Sequence, residues 1–179
     1  MIVNQLRPNK IKDPVILDLF KNIKKEDFLS EEMRGITYSD LDINLDKNRG
    51  YIKNLHIAQL IQHSNIQKED NILHIGGLTG YVTLILSKLC NFVHVIENDK
   101  FLWKKFEENL SKLQMNNVQI IKNDFTLGYK EKSPYDLIFI DCPLKKFSNN
   151  ILLSQLNPSN GRLIMIEKIN DELGKGIRI

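Results

Sequence analysis

From residue 71 onward, short apolar runs alternate with segments whose apolar positions recur at helical spacing, and this rhythm sets the fold class. The runs NILHIG, FVHVIE, VQIIKND, YDLIFID and GRLIMIE predict five parallel strands, with Ile75, Val95, Ile120, Ile138 and Ile164 in their buried parts. Two intervening segments carry helical faces: Val82, Ile85, Leu86 and Leu89 in one, Leu102, Phe106, Leu110 and Leu113 in the other. Strands alternating with helices predict an α/β fold, a doubly wound and mostly parallel sheet with helices on both sides.

The first part of the chain is patterned differently. After Asp13, a candidate N-cap, and Pro14, at the first helical position, Ile16, Leu19, Phe20 and Ile23 share a face, which predicts a short packing helix. A second helix, roughly Leu55 to His63, buries Ile57, Leu60 and Ile61. The stretch between them, EDFLSEEMRGITYSDLDINLDKNRGYIKN, lacks sustained periodicity and is rich in turn formers, so it reads as ordered loop. One domain is expected over 1–179, with a helical and loop segment at 1–65 and an α/β core at 66–179.

Composition narrows the function classes. Lys and Arg number 25 against 22 for Asp and Glu, and the resulting +3 is too small and too dispersed for a nucleic-acid surface. No stretch approaches the roughly 18 uninterrupted apolar residues of a membrane span, and the N-terminus carries no export signal, so a cytoplasmic protein is expected. Cys90 and Cys142 form no CxxC pair, and His56, His63, His74 and His94 share no ligand spacing, so reduced thiols and no metal are expected.

The chemistry concentrates after the first strand of the core. GGLTG, Gly76 to Gly80, lies between a strand and a helix, where backbone N–H groups and a helix start face whatever lies over the strand end. Glu97 ends the second strand about 20 residues later, the place from which a carboxylate grips a ribose diol. Asn123 and Asp124 end the third strand, within reach of an adenine amino group, and Asp141 emerges at the end of the fourth. Each carboxylate alone has an ordinary role open to it, as a turn or cap residue. Together, at successive strand ends behind one glycine turn, they point to a shared site. The turn lacks the second glycine of a dinucleotide GxGxxG clamp, which favours a cofactor without phosphates.

Several stretches resemble the protein-L-isoaspartate O-methyltransferase family. NQLRPNKIKDPVILDLFKNIKKEDFL followed by RGITYSD is similar to its N-terminal segment, and ILHIGGLTGY resembles its Leu-Glu-Ile-Gly-x-Gly-Ser-Gly-Tyr. VIEND resembles its ribose-binding strand, NDFTLG its Gly-Asp-Gly-x-x-Gly, and SPYDLIFI and LLSQLNPSNGRLIMI its last shared elements, so the likeness runs from Asn4 to about Ile166. The resemblance implies a class I, Rossmann-like methyltransferase fold, S-adenosylmethionine as cofactor, and methyl transfer to the carboxylate of isoaspartyl residues in damaged proteins. It further implies a cofactor site at Gly76, Gly77, Thr79, Gly80, Glu97, Asp124 and Asp141, and a substrate loop carrying Arg49, Tyr51 and Lys53.

Departures from the family pattern are equally specific. His74 stands where the motif has Glu, and Leu78 replaces its middle glycine, adding bulk where the cofactor comes closest. NRGYIKN, Asn48 to Asn54, replaces Gly-Gln-Thr-Ile-Ser-Gln-Pro, so that Ile52 takes the serine position, while Arg49 and Lys53 offer charge to an anionic acceptor. DCPL, Asp141 to Leu144, replaces a small Thr-Ala-Ala-like segment and has a poor likeness to the Asp-Pro-Pro-Tyr of amino-group methyltransferases. Two other readings therefore stand beside the family activity: a degenerate, non-catalytic binding module, and a methyltransferase with a different acceptor. The chain ends at GKGIRI, just after the fifth strand, which predicts either a missing strand or a shortened C-terminus, and an exposed sheet edge.

Overall fold

The computed structural model describes all residues except 48, 145–149 and 169–173. The core strands are β3 (Asn71–Ile75), β4 (Phe92–Ile96), β5 (Val118–Ile121), β6 (Leu137–Leu144) and β7 (Arg162–Lys168). All five pair in parallel, and a sixth strand, β8 (Gly174–Arg178), adds antiparallel to β7, giving the order β5-β4-β3-β6-β7-β8. GKGIRI thus supplies the strand β8, which covers β7 and is itself the edge of the sheet on that side. Its two glycines and Lys175 hide it from a β-propensity reading, because the ladder to β7 rather than its side chains holds it.

Strand order reverses between β3 and β6, and register fixes what emerges there. Ile75 pairs with Ile96 on one side and Ile140 on the other, so Gly76, Glu97 and Asp141 follow in one row at the C-terminal edge. Ile75, Val95, Ile138 and Ile164 are buried as their runs predict, whereas Ile120 is half-buried because β5 is an edge strand.

One face of the sheet carries the larger core. Helix α1 (Pro14–Asn22), capped by the Asp13 carboxylate accepting from the amides of Val15 and Ile16, buries Ile16 and Phe20. Helix α2 (Asn54–Ser64) buries Ile57, Leu60 and Ile61 in the same cluster. Helix α3 (Tyr81–Ser87) is buried on every side, and α4 (Lys100–Lys112) contributes Leu102 and Phe106. The opposite face is thinner: Leu73, Ile75, Ile138, Ile140 and Met165 are covered by Tyr129, Tyr135 and the short helix α5 (Asn150–Leu153) with Leu152. Part of the expected loop is a hairpin of β1 (Ile43–Asp46) and β2 (Arg49–Tyr51), a two-stranded sheet separate from the main one. No helix of the described residues is long and apolar enough to cross a membrane.

A buried polar clamp joins α2 to the sheet. Arg162, at the start of β7, donates to the carbonyls of Ser64, Asn65 and Asp136 at 2.5, 2.9 and 2.9 Å and pairs with the Asp70 carboxylate. Removing one partner of such a buried pair strands the other charge, so Arg162→Ala is expected to cost about 3 to 5 kcal/mol in urea unfolding. A loss below about 1 kcal/mol, the worth of an exposed pair, would contradict that role.

On the thin face, His94 sits among Phe92, Tyr129 and Tyr135, ring centroids 4.8, 6.0 and 5.7 Å away, and its Nδ1 has no partner. Burial, and then the charge of Lys132, hold the imidazole below its usual pKa of 6.5. Below that pH the unfolded chain takes up a proton that the folded chain resists, so stability must fall on acidification. Unfolding between neutral pH and about pH 5 should therefore weaken the natural protein more steeply than His94→Phe. Parallel curves would show that His94 does not sense acid.

Candidate functional site

The row formed by Gly76, Glu97 and Asp141 is the frame of the site, and each member is fixed by its own element. Gly76 has φ +91°, and its amide, like that of Gly77, donates to the Ile96 carbonyl, folding the turn back over the tip of β4. A Cβ built on Gly76 would point into the crevice, 3.5 Å from Cys142 Sγ and 3.8 Å from Arg49 Nη2. Gly77 and Gly80 face the other way. A Cβ on either would run into Phe106 of α4, at 2.6 and 2.8 Å, so those two glycines let the helix close against the turn. Leu78 has a left-handed backbone, φ +53°, at a cost of roughly 1 to 2 kcal/mol for a residue with a side chain. Its side chain is buried with the larger apolar cluster.

Glu97 is fully buried at the tip of β4. Its Oε1 accepts from the Asp99 amide at 2.9 Å and from Arg49 Nη1 at 2.5 Å, and its Oε2 from the Leu78 amide at 2.8 Å and from Arg49 Nη2 at 2.8 Å. Burial works against the charge of the Arg49 guanidinium, but the hydrogen bond to Glu97 and its charge outweigh this and hold the pKa above its usual value. The same guanidinium lies 4.9 Å from the centroid of Phe125, just beyond the tip of β5. Arg49, read in the sequence as a substrate-loop residue, is thus in the crevice itself. A strand-end carboxylate, a bare Gly76 and the β5 turn are the elements with which sheets of this kind receive a nucleoside, and Arg49 is the side chain that lies across them.

Asp141 and His74 form the floor. His74 is sealed beneath the turn, with Nδ1 2.9 Å from Thr83 Oγ1, Nε2 3.3 Å from Asp141 Oδ1, and its ring edge-on to Phe139. Both ring nitrogens are therefore engaged where the family motif has a carboxylate. Cys142 follows Asp141, and burial together with that carboxylate pushes its thiol up to about 12, which keeps it unreactive.

Tyr51 and Thr79 are brought together as a brace. The Tyr81 amide donates to the Tyr51 hydroxyl at 3.1 Å, that hydroxyl donates to Thr79 Oγ1 at 2.8 Å, and Thr79 donates to the Phe28 carbonyl at 2.8 Å. This relay ties β2 and the N-terminal segment to the glycine turn. Beside it, the Lys25 ammonium lies 5.0 and 5.5 Å from the ring centroids of Tyr51 and Tyr81 and donates to Asn54 at 3.0 Å. Burial lowers its pKa to about 8, against the pull of Asp42 and Asp141. A segment as rich in lysine as Lys21 to Lys25 reads as a solvated helix face, and the burial of Lys25 corrects that reading. The charged Glu26 and Asp27 that follow it give no sign of burial in the sequence.

The remaining candidates lie further out. Asp124 is exposed, and its carboxylate accepts from the amide and hydroxyl of Thr126 at 2.7 and 2.5 Å, an Asx-type turn that lowers its pKa. Lys53 is half-buried, with its ammonium 3.8 Å from the Asp40 carboxylate. Ile52 is buried. Asn48, first residue of the loop motif, lies outside the described residues, as do the side chains of Pro143 and Leu144 in DCPL.

The family model for protein-L-isoaspartate(D-aspartate) O-methyltransferase (PCMT) matches residues 1–173. The protein-L-isoaspartate O-methyltransferase 2 of Pelobacter propionicus is 29% identical over 140 residues, which cover 78% of this chain and 62% of the relative. The Protochlamydia amoebophila protein-L-isoaspartate O-methyltransferase is 29% identical over 165 residues, 92% of this chain and 78% of the relative. Among solved structures, a protein-L-isoaspartate O-methyltransferase aligns with TM-score 0.76 at 23% identity, covering 87% of this chain and 51% of that one. A candidate enzyme of the same name from Plasmodium falciparum, in complex with S-adenosyl-L-homocysteine, aligns with TM-score 0.78 at 18% identity, covering 97% and 85%. The chain thus spans 62% of the Pelobacter relative and about half of the first of these structures. The structural likenesses carry the α/β methyltransferase fold. With the family model matched from residue 1 to residue 173 of 179, the chain belongs to the protein-L-isoaspartate O-methyltransferase family.

Proposed function

We propose that the chain is an S-adenosylmethionine-dependent O-methyltransferase that esterifies the free carboxylate of isoaspartyl residues in damaged proteins. The observation that carries this reading is the row of Gly76, Glu97 and Asp141 at the sheet's reversal point, in a chain of this family. A solved relative of the same fold bears S-adenosyl-L-homocysteine, the demethylated form of that cofactor.

Glu97 would hold the ribose diol, Gly76 would leave room for close backbone approach, and Asp124 would meet the adenine edge beyond β5. Gly77, Thr79 and Gly80 serve the site by shaping the turn, and Asp141 with His74 floors it. When bound, the cofactor supplies a methyl group already activated on a sulfonium. An acceptor carboxylate is itself an anion, so the protein need not remove a proton from it. The floor agrees with this economy, since both nitrogens of His74 are engaged and Lys25 is sealed from solvent. Rate then comes from holding donor and acceptor in line. With Ile52 offering no hydroxyl, the acceptor's charge is met by Lys53 and, once it is free of Glu97, by Arg49. The proposal includes a cytoplasmic setting, in keeping with two cysteines that remain unpaired.

The test is methyl transfer from labelled S-adenosylmethionine to an isoaspartyl peptide and to its aspartyl twin. Label is expected on the isoaspartyl peptide alone, and it should be released by mild base, as a methyl ester is and a methylamine is not. Equal labelling of both peptides, or a base-stable product, would contradict the acceptor. Incorporation into neither would contradict the activity.

A further inference from the structure

We propose that Arg49 is a built-in competitor for the cofactor's ribose, occupying both oxygens of Glu97 until a nucleoside displaces it. The proposal rests on the cofactor reading above and adds to it a residue that sets affinity.

The hydrogen-bond inventory of Glu97 leaves no alternative place for a diol. An ionised carboxylate offers about four lone-pair sites. In Glu97 they are taken by the amides of Leu78 and Asp99 and by the two Nη groups of Arg49. The two amides belong to the glycine turn and to the cap of α4, and cannot leave without undoing either. Asp99 also caps α4 through the amides of Phe101 and Leu102, at 2.9 and 3.0 Å. Arg49 is the donor that can depart by side-chain rotation alone. Its side chain is 23% exposed, so water already reaches it.

The guanidinium also stands where the rest of the nucleoside would lie. It is 4.9 Å from the centroid of Phe125 and next to Gly76 and Cys142, spanning the tips of β3, β5 and β6. A planar cation over an aromatic face and a planar base over the same face are alternatives, not neighbours. The hairpin that bears Arg49 is held in place independently, by the Tyr51 relay to Thr79 and by Lys47, whose ammonium is 3.3 Å from Asp99. Displacing Arg49 therefore leaves the hairpin seated and returns a cation to the mouth of the crevice.

Titration of S-adenosyl-L-homocysteine into the whole chain by calorimetry tests this, with Arg49→Ala and Arg49→Lys beside the natural protein. Competition predicts that Arg49→Ala binds about tenfold tighter or more, a difference of about 1.4 kcal/mol, with Arg49→Lys between the two because it lacks the paired donors. Arg49→Lys keeps the charge and the hairpin while losing the paired donors, so it reads the competition even if Arg49→Ala does not fold. Unchanged or weaker binding by folded variants would overturn the competition while leaving the cofactor reading intact. Failure of all three proteins to bind at millimolar ligand would overturn the cofactor reading itself, and the competition with it.

Discussion

A carboxylate sealed from water has to find its hydrogen bonds inside the protein, and Glu97 finds them from three separate parts of the chain. The Leu78 amide comes from the glycine turn, the Asp99 amide from the start of α4, and the two Arg49 donors from β2. Burying such a charge costs several kcal/mol unless it is paired and fully bonded. The turn, the helix start and the hairpin are thus held to one point. The left-handed backbone of Leu78 is understandable on this basis, because the amide it presents to Glu97 offsets the strain of a leucine where the family has glycine.

The departures from the family pattern are absorbed by this arrangement in different ways. His74 replaces a carboxylate with an imidazole that still spans Thr83 and Asp141, so the floor remains bonded although its charge has changed. Leu78 adds its bulk to the core rather than to open space. On the competition proposed above, the obstruction that the sequence locates at Leu78 lies instead at Arg49, three positions before the isoleucine that stands for the family serine.

The core strands are legible in the sequence because parallel strands covered on both faces read as near-continuous apolar runs, unbroken in LIFI and interrupted only by His94 in VHVI. The row of Gly76, Glu97 and Asp141 is legible for the same reason, since each residue directly follows such a run. The hairpin and β8 are not, because three to five residues with polar or glycine positions carry no period to detect. Two of the glycines read as cofactor contacts answer to Phe106, a partner that only the folded α4 brings up. The pairing of Arg49 with Glu97 spans 48 positions, and nothing in one sequence joins two such residues. What the sequence does show is a cation on the loop and a carboxylate at the strand end, each with an opposite charge three positions away, Asp46 and Lys100, that competes as the expected partner.

The central claim is that Arg49 and Glu97 act as one unit in the protein without ligand. A double-mutant cycle in urea unfolding, using Arg49→Ala, Glu97→Gln and the pair, measures that directly. The account predicts a coupling of about 2 to 3 kcal/mol, with the double variant less damaged than the two single losses added together. A coupling within about 0.5 kcal/mol of zero would show that the residues contribute independently and that Glu97 does not need Arg49.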